Sequence, residues 1–209
     1  MSEVPLARPR LHLAENGAVP VPQSPDEDLA DRMILREVAA GNFERFDVLV
    51  NRHKTRIFRF LFLQLGHLDV AEDLAQEVFL RLFRTPPDAA ASGRVSTWLF
   101  TITRNCLIDH VRAERRRVQL HNTLMRLKPR DSSLDPVTAA AFQEERTRVA
   151  AWFSALPEDQ REVLSLRFFA DLTVPEIAQI TGANIATVKS RLRYGLSKIA
   201  TILPREARP

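Results

Sequence analysis

The feature that most constrains the fold is a pair of helical patterns near the C-terminus, separated by a sharp break. Thr173 and Glu176 have the spacing of a capping box, in which two side chains satisfy free backbone N–H groups where a helix starts. Gly182 then permits the left-handed backbone of a tight turn. Asn184 is a favourable N-cap for a second helix. We therefore predict a helix-turn-helix over residues 173–203.

Each helix of this motif has one apolar face and one polar face. The apolar residues at helical spacing, which predict the packed side, are Val174, Ile177, Ala178, Ile180, Ile185, Val188, Leu192, Leu196 and Ile199. The opposite face of the second helix carries Thr187, Lys189, Ser190, Arg191, Arg193 and Lys198, with no acidic residue over 184–203. Such a helix can enter the major groove without repulsion, with its early residues near bases and its later cations near phosphates.

Helical patterns also fill the rest of the chain from Asp26 onward, which predicts an all-α fold of two small helical domains joined by a flexible linker. The first domain spans 26–117 and the second 135–209, with a linker over 118–134 and a disordered extension over 1–25. Predicted helices cover 26–40, 43–65 with Asn42 as its cap, 69–84, 96–117 with Ser96 or Thr97 as its cap, 135–156, 157–170 and the two helices of the motif.

A second candidate surface lies on the last predicted helix of the first domain. Trp98, Thr101, Asn105, Asp109 and Arg112 are three or four residues apart and therefore share one helix face. An aromatic ring beside hydrogen-bonding and cationic groups suits unstacked bases, and the arginines at 115–117 would attract phosphate. The alternative is that the tryptophan belongs to the core and that the arginines form a hydrated helix end.

Composition argues against several other functions. A single cysteine, Cys106, allows no internal disulfide and fits a reducing cytoplasm. No apolar run approaches the roughly 20 residues needed to cross a bilayer, so we expect a soluble cytoplasmic protein without membrane insertion. The histidines lack metal-ligand spacing, and there is no phosphate-binding glycine loop or nucleophile elbow. We expect no catalytic residues, no metal and no cofactor.

Several segments, in the same order along the chain, resemble regions of bacterial sigma factors. Residues 156–199, LPEDQREVLSLRFFADLTVPEIAQITGANIATVKSRLRYGLSKI, resemble region four. Residues 69–83, DVAEDLAQEVFLRLF, resemble region 2.2, and residues 96–117, STWLFTITRNCLIDHVRAERRR, resemble regions 2.3 and 2.4. The predicted linker is too short for the additional helical domain of larger sigma factors, so the plan resembles the extracytoplasmic-function group of the sigma-70 family.

The resemblance implies roles by position. The partners would be core RNA polymerase, through its β′ coiled coil and β flap, promoter DNA and an anti-sigma factor. The β′ coiled coil would meet Asp73, Gln76 and Glu77. The minus-ten element would be opened and held by Trp98, Thr101, Arg104, Asn105, Arg112, Arg115 and Arg116, with the loop over 85–94 capturing a flipped base. The minus-thirty-five duplex would be read by Thr187, Lys189, Ser190 and Arg193.

Two residues of the second domain depart from the family pattern. Tyr194 stands where relatives often have arginine, and Gly195 stands where they often have alanine. A glycine inside a helix costs roughly 0.5–1 kcal/mol of stability relative to alanine. Either packing elsewhere in the helix compensates for this cost, or another element approaches the helix so closely that no side chain fits.

The function implied by the resemblance is promoter-specific initiation with core polymerase, in a response to stress or another signal, without catalysis by this chain. The alternative is a regulator that uses the helix-turn-helix without polymerase, with the first domain as a sensor. For the motif taken alone, a helical hairpin with a hydrated basic face is a further alternative.

Overall fold

The computed structural model describes residues 25–86, 93–124 and 149–202, and all regular structure within these ranges is helical. Helices α1 to α4 span Pro25–Ala39, Phe46–Leu65, Leu68–Arg84 and Val95–Leu124. After helical residues 149–154, helices α5 to α7 span Glu158–Phe168, Val174–Thr181 and Ile185–Ile202. The all-helical prediction is confirmed. The predicted extension over 1–25 lies outside the described residues except for Pro25, with which α1 begins. The segment 125–148, with most of the predicted linker, and residues 87–92 of the loop predicted to capture a flipped base also lie outside them.

The start of α2 differs from the prediction. The helix begins at Phe46, and its N-cap position is taken by Arg45, whose side chain makes no capping hydrogen bond. Asn42 lies too far upstream to cap it, so its predicted capping role is wrong. Its side-chain oxygen instead accepts a hydrogen bond from the backbone N–H of Glu44 at 3.1 Å, which closes a local turn.

Helix α4 is longer than predicted at both ends. It begins at Val95, so Ser96 and Thr97 lie buried inside its first turn and neither is the cap. At the other end it continues over 118–124, the first residues of the predicted linker. That stretch contains no glycine or proline to end the helix, which explains why it continues beyond Arg117.

Buried apolar side chains form one core that extends through both domains. In the first domain α2, α3 and α4 pack on one another, and the fully buried rings of Phe60 and Phe100 meet edge to face at 5.7 Å. In the second domain the buried side chains of α6 and α7 include Ile177, Ile180, Val188, Leu192 and Ile199. Ile185 is 48% exposed, so its predicted place in the packed stripe is wrong.

A buried polar cluster fixes α1 on α2. Asp31 and His53 are completely buried, and the Nε2 atom of His53 lies 2.7 Å from a carboxylate oxygen of Asp31. Arg52 pairs with the other carboxylate oxygen. Buried charges and polar groups must be hydrogen-bonded to be tolerated, so this cluster fixes the relative position of the two helices.

The two domains contact each other through α2 and α5 and through α4 and α6. At the first contact the side-chain amide of Gln64 donates to the hydroxyl oxygen of Ser165 at 2.8 Å, and Arg161 donates to the backbone carbonyl of Gln64 at 3.3 Å. Arg161 also donates to backbone carbonyls of Phe153 and Leu156, and its burial lowers the pKa of its guanidinium. The arginine thus joins the two domains at the start of α5.

Candidate nucleic-acid interface

The helix-turn-helix is built as the sequence predicts. The hydroxyl of Thr173 accepts from the backbone N–H of Glu176 at 3.4 Å, and the Glu176 carboxylate accepts from the backbone N–H of Thr173 at 2.7 Å. Gly182 ends α6 with a φ of 70°. The side-chain oxygen of Asn184 accepts from the backbone N–H of Thr187 at 2.7 Å, which caps α7. Both predicted caps and the predicted turn are confirmed.

Helix α7 presents a basic surface to solvent. Lys189, Ser190 and Arg193 are exposed, and Thr187 is half-buried nearer the turn. The helix contains no acidic residue, and Val188 and Leu192 on the opposite side are buried in the domain core. The four residues predicted to read the minus-thirty-five duplex therefore lie on a helix whose opposite side is packed against the domain core.

Gly195 lies in the packed face of α7, against α5. A Cβ atom at this position would stand 2.6 Å from Cδ1 and 3.3 Å from Cγ of Leu164, which is completely buried. Real Cβ atoms essentially never approach another atom as closely as the first of these distances. Of the two explanations for this glycine, the structure favours the second: α5 and α7 approach so closely here that there is no room for a side chain.

Tyr194 lies on the exposed side of α7, beside Arg193. The phenol is 57% exposed. The guanidinium of Arg193 lies 4.8 Å from the centre of the ring, and one of its nitrogens donates to the phenolic oxygen at 3.1 Å. Tyr194 therefore holds the side chain of a predicted DNA-reading residue.

The residues of α4 predicted to contact DNA differ in exposure: some are open to solvent, and others contact neighbouring helices. Asn105 is exposed, as are Arg112, Arg115 and Arg116 toward the C-terminal part of the helix. The hydroxyl of Thr101 donates to the backbone carbonyl of Thr97 at 2.8 Å, one turn earlier.

Trp98 is half-buried against the core, and the guanidinium of Arg32 lies 5.2 Å from the centre of its ring. The ring therefore packs against the core, as one of the two interpretations of the sequence predicts, and it also contacts a cation of α1.

Arg104 faces the second domain. Its Nε atom lies 2.8 Å from a carboxylate oxygen of Glu162 on α5, and the two side chains are 24% and 14% exposed. A second contact joins the start of α4 to α6, where Glu176 accepts from the hydroxyl of Thr97 at 3.0 Å and lies 3.5 Å from Arg94. One carboxylate of the capping box therefore also holds the two domains together.

The residues predicted to bind polymerase lie on α3. Asp73 and Gln76 are exposed, and Leu80, which is 47% exposed, follows one turn later. Glu77 is half-buried and its carboxylate lies 2.8 Å from Arg81, which in turn contacts Asp109 of α4 at 3.2 Å. These hydrogen bonds raise the pKa of the Arg81 guanidinium.

Three further properties bear on alternative functions. Among the described residues, no group of three or more histidine, cysteine, aspartate or glutamate side chains is arranged to hold a metal ion. No helix within the described parts of the chain is long and apolar enough to cross a membrane. Cys106 is buried, and this burial raises the pKa of its thiol, in keeping with the predicted role as a small apolar core residue.

Sequence reasoning missed four residues at these surfaces. Glu162 and Arg94 form interdomain ion pairs, and Asp28 and Arg32 of α1 contact the beginning of α4 and Trp98. Only the spacing of Asp28 and Arg32, four residues apart on one helix, could have indicated that they interact with each other.

Comparison with known families identifies both domains. Residues 49–117 match the family model described as Sigma-70 region 2, and residues 148–199 match the model described as Sigma-70, region 4. Two small helical domains with a helix-turn-helix in the second thus define a sigma factor of the sigma-70 family.

Curated relatives narrow the class further. The chain is 31% identical to the ECF RNA polymerase sigma factor BldN of Streptomyces coelicolor over 191 residues, which cover 88% of this chain and 70% of the relative. It is 29% identical to the ECF RNA polymerase sigma factor SigK of Mycobacterium ulcerans, over 81% of this chain and 91% of the relative. The chain therefore belongs to the extracytoplasmic-function group of sigma-70 factors.

Solved structures share the fold. One is CnrH in complex with the cytosolic domain of CnrY, with a TM-score of 0.62 at 23% identity over 83% of this chain and 96% of that one. Another is the sigma factor RpoE in complex with the anti-sigma factor NepR from Bartonella quintana, with a TM-score of 0.62 at 22% identity over 76% and 96%. The protein is an alternative sigma factor that directs promoter-specific transcription initiation, and a regulator independent of polymerase is disfavoured. Sigma factors are non-enzymatic initiation factors.

Proposed function

We propose that this sigma factor reads its promoters with the exposed faces of α7 and α4. Helix α7 reads the minus-thirty-five duplex, and α4 holds the melted strand of the minus-ten element. The observation that carries the proposal is the acid-free exposed face of α7, which is backed by buried apolar residues. The proposed duplex-reading residues are Thr187, Lys189, Ser190 and Arg193. The proposed strand-contacting residues are Trp98, Thr101, Arg104, Asn105, Arg112, Arg115 and Arg116.

Core polymerase docks on the exposed side of α3 in this proposal. Asp73, Gln76 and Glu77 lie within about one helical turn, and the exposed side chain of Leu80 extends the surface by another turn. An acidic stripe that ends in an apolar side chain suits a basic amphipathic helix, such as one strand of the β′ coiled coil. The second domain makes the contact with the β flap.

The chain contributes binding energy to initiation and leaves the chemistry to the polymerase. It acts in the cytoplasm, where core polymerase and promoter DNA are found, and it serves a stress or signal response. An anti-sigma factor holds it inactive until the signal arrives, and the surfaces that meet polymerase and DNA are the natural targets of such an inhibitor. The solved complexes of CnrH and RpoE with other proteins support this part of the proposal by analogy of fold.

Run-off transcription with purified core polymerase tests the proposal. Transcript-start mapping after overexpression first supplies a promoter, because the sequence does not specify one. Core polymerase with the purified chain is expected to give promoter-specific transcripts, and core polymerase alone is expected to give none. If the inhibitor-free chain cannot support initiation from any mapped promoter, the proposal fails.

Two sets of variants test the division of labour. Lys189→Ala and Arg193→Ala are each expected to weaken holoenzyme binding to promoter duplex about ten-fold, since a lost base contact costs roughly 1–3 kcal/mol. Binding to core polymerase is expected to stay unchanged. The matched controls are Lys54→Ala on α2 and Arg36→Ala on α1, which remove exposed cations outside the proposed surfaces.

The polymerase surface has its own variants. Asp73→Ala and Gln76→Ala are expected to weaken core binding several-fold. Glu72→Ala, which removes an exposed acid from the same helix outside the proposed set, is expected to leave core binding unchanged. If the α7 and α3 variants lower promoter binding and core binding in equal measure, the two surfaces are not separate and the assignment fails.

A further inference from the structure

Two residues of α1 reach the beginning of α4, where the proposed strand-opening surface starts. A carboxylate oxygen of Asp28 accepts a hydrogen bond from the backbone N–H of Val95 at 2.7 Å. Val95 is the first residue of α4, so its N–H group has no partner within the helix. Asp28 therefore caps α4 from a different helix, and its negative charge also suits the positive end of the helix dipole.

Arg32 extends this contact to the tryptophan. Its Nε atom lies 3.0 Å from the other carboxylate oxygen of Asp28, one turn earlier on α1. Another guanidinium nitrogen donates to the backbone carbonyl of Gly93, and the guanidinium carbon lies 5.2 Å from the centre of the Trp98 ring. The planar guanidinium thus contacts a carboxylate, a carbonyl and an indole ring at once, which a lysine ammonium cannot do with the same geometry.

The backbone at this junction requires a glycine. Gly93 has a φ of 114°, in a region that L side chains rarely adopt. A Cβ atom at Gly93 would stand 3.7 Å from the indole nitrogen of Trp98, so the chain passes close to the ring. Arg32 contacts both the backbone carbonyl of Gly93 and the face of the Trp98 ring, and so holds the two together.

We propose that Asp28 and Arg32 are positioning residues for promoter opening, which fix the start of α4 and the orientation of the Trp98 ring against the melting minus-ten element. This inference rests on the proposed function of α4. With the guanidinium over one face and the core behind it, the indole ring is held in one orientation before DNA arrives. A side chain already held in its working orientation loses less conformational freedom when the strand separates.

The experiment compares a duplex promoter with the same promoter carrying a mismatched bubble across the minus-ten element. Holoenzyme with Arg32→Ala is expected to initiate roughly ten-fold less on the duplex, which is within the range for loss of a partly buried cation–π contact. On the bubble template its initiation is expected to stay within about two-fold of wild type, because the strands are already open. Arg36→Ala, an exposed arginine one turn later on α1, is the matched control and is expected to behave as wild type on both templates.

A conservative variant separates positioning from charge. Arg32→Lys keeps the cation but loses the planar, multiply hydrogen-bonded contact, so we expect it to retain much of the duplex defect. Full rescue by lysine would overturn the positioning role and indicate simple attraction of phosphate. Asp28→Asn keeps the shape of the side chain but removes its charge, and it is expected to show a smaller defect of the same kind.

Fluorescence supplies a readout that does not depend on transcription. The chain contains two tryptophans, so Trp152→Phe leaves Trp98 as the single emitter. In this background Arg32→Ala is expected to shift Trp98 emission to longer wavelength and to increase its quenching by acrylamide, whereas Arg36→Ala is expected to change neither.

The possible outcomes distinguish the inference from the function on which it rests. Equal loss on duplex and bubble templates would indicate a general folding defect and would overturn the inference, as would wild-type activity of Arg32→Ala on both templates. Failure of the wild-type chain on both templates would overturn the proposed function and, with it, this role.

Discussion

The two helices proposed to read DNA are held in different ways. Helix α7 is attached to its domain by apolar packing, through Leu192 and the close approach at Gly195, and by an ion pair between Arg191 and Asp159 of α5. The face that carries Lys189 and Arg193 is open to solvent. Helix α4 is also packed on apolar residues, yet part of its surface is occupied by the second domain through Arg104 and Thr97. If α7 reads duplex and α4 holds the melted strand, as proposed, then α7 is ready to bind as the chain stands, whereas the surface of α4 is complete only after the domains separate.

The close approach of α7 to α5 gives the prediction with the largest expected effect. Gly195→Ala is expected to destabilise the folded chain by about 1 kcal/mol, because the overpacking cost of roughly 1–3 kcal/mol exceeds the gain in helix propensity of alanine over glycine. Urea unfolding measures the change. Ser197→Ala, at an exposed position of the same helix, is the control and is expected to stay within about 0.5 kcal/mol of wild type.

A second substitution sharpens this test. If the cause is contact with Leu164, then Gly195→Ala combined with Leu164→Val should cost less than the sum of the two single substitutions. A stabilising effect of Gly195→Ala alone would show that Leu164 moves aside at little cost. The packing of α7 on α5 would then be looser than the structure indicates, and α7 would be held less firmly than proposed.

The interdomain ion pair on α4 gives the second prediction. Glu162→Gln removes the charge that faces Arg104, and a partly buried charged hydrogen bond contributes about 1 kcal/mol. We expect the free chain to bind a single-stranded oligonucleotide of a mapped minus-ten element about five-fold more tightly, as fluorescence anisotropy would show. The gain is expected to shrink at high salt, because screening weakens the ion pair and the DNA contacts alike.

Glu158→Gln is the matched control for this prediction. Glu158 lies one turn earlier on α5 and is exposed, so its loss changes the net charge by the same amount and leaves the ion pair between Arg104 and Glu162 in place. An equal gain in affinity for both variants would mean that only net charge matters, and α4 would then be as free to bind DNA as α7.

Local signals in the sequence were sufficient for the helix-turn-helix. Thr173 and Glu176 lie within one turn, so their reciprocal hydrogen bonds follow from spacing alone. The same reasoning failed at Asn42, where a competing local turn uses the side chain before the helix begins. A favourable N-cap residue therefore predicts a helix start only when no closer backbone N–H group competes for its side-chain oxygen.

Contacts between distant segments could not be predicted in the same way. Arg104 and Glu162, and likewise Asp28 and Val95, are far apart in sequence, and no periodicity connects them. Their pairing depends on how the helices pack, which the apolar pattern predicts only as a buried face and not as a particular neighbour. The sequence therefore predicted two helix surfaces for DNA, but not that one of them is partly covered by the other domain.

Substitution of Tyr194 has the smallest expected effect, and it tests whether this residue fixes the orientation of the Arg193 side chain on the exposed face of α7. Tyr194→Phe keeps the ring beneath Arg193 and removes the oxygen to which the guanidinium donates, a single hydrogen bond at an exposed site. We expect promoter affinity to fall about two-fold, in line with roughly 0.5 kcal/mol for such a bond, and to fall further with Tyr194→Ala, which also removes the ring. In the Arg193→Ala background, Tyr194→Phe should have no effect, since the residue whose orientation it controls is gone. The same two-fold loss in both backgrounds would show that the phenol contacts DNA directly, and Arg193 would then reach its target without being held by Tyr194.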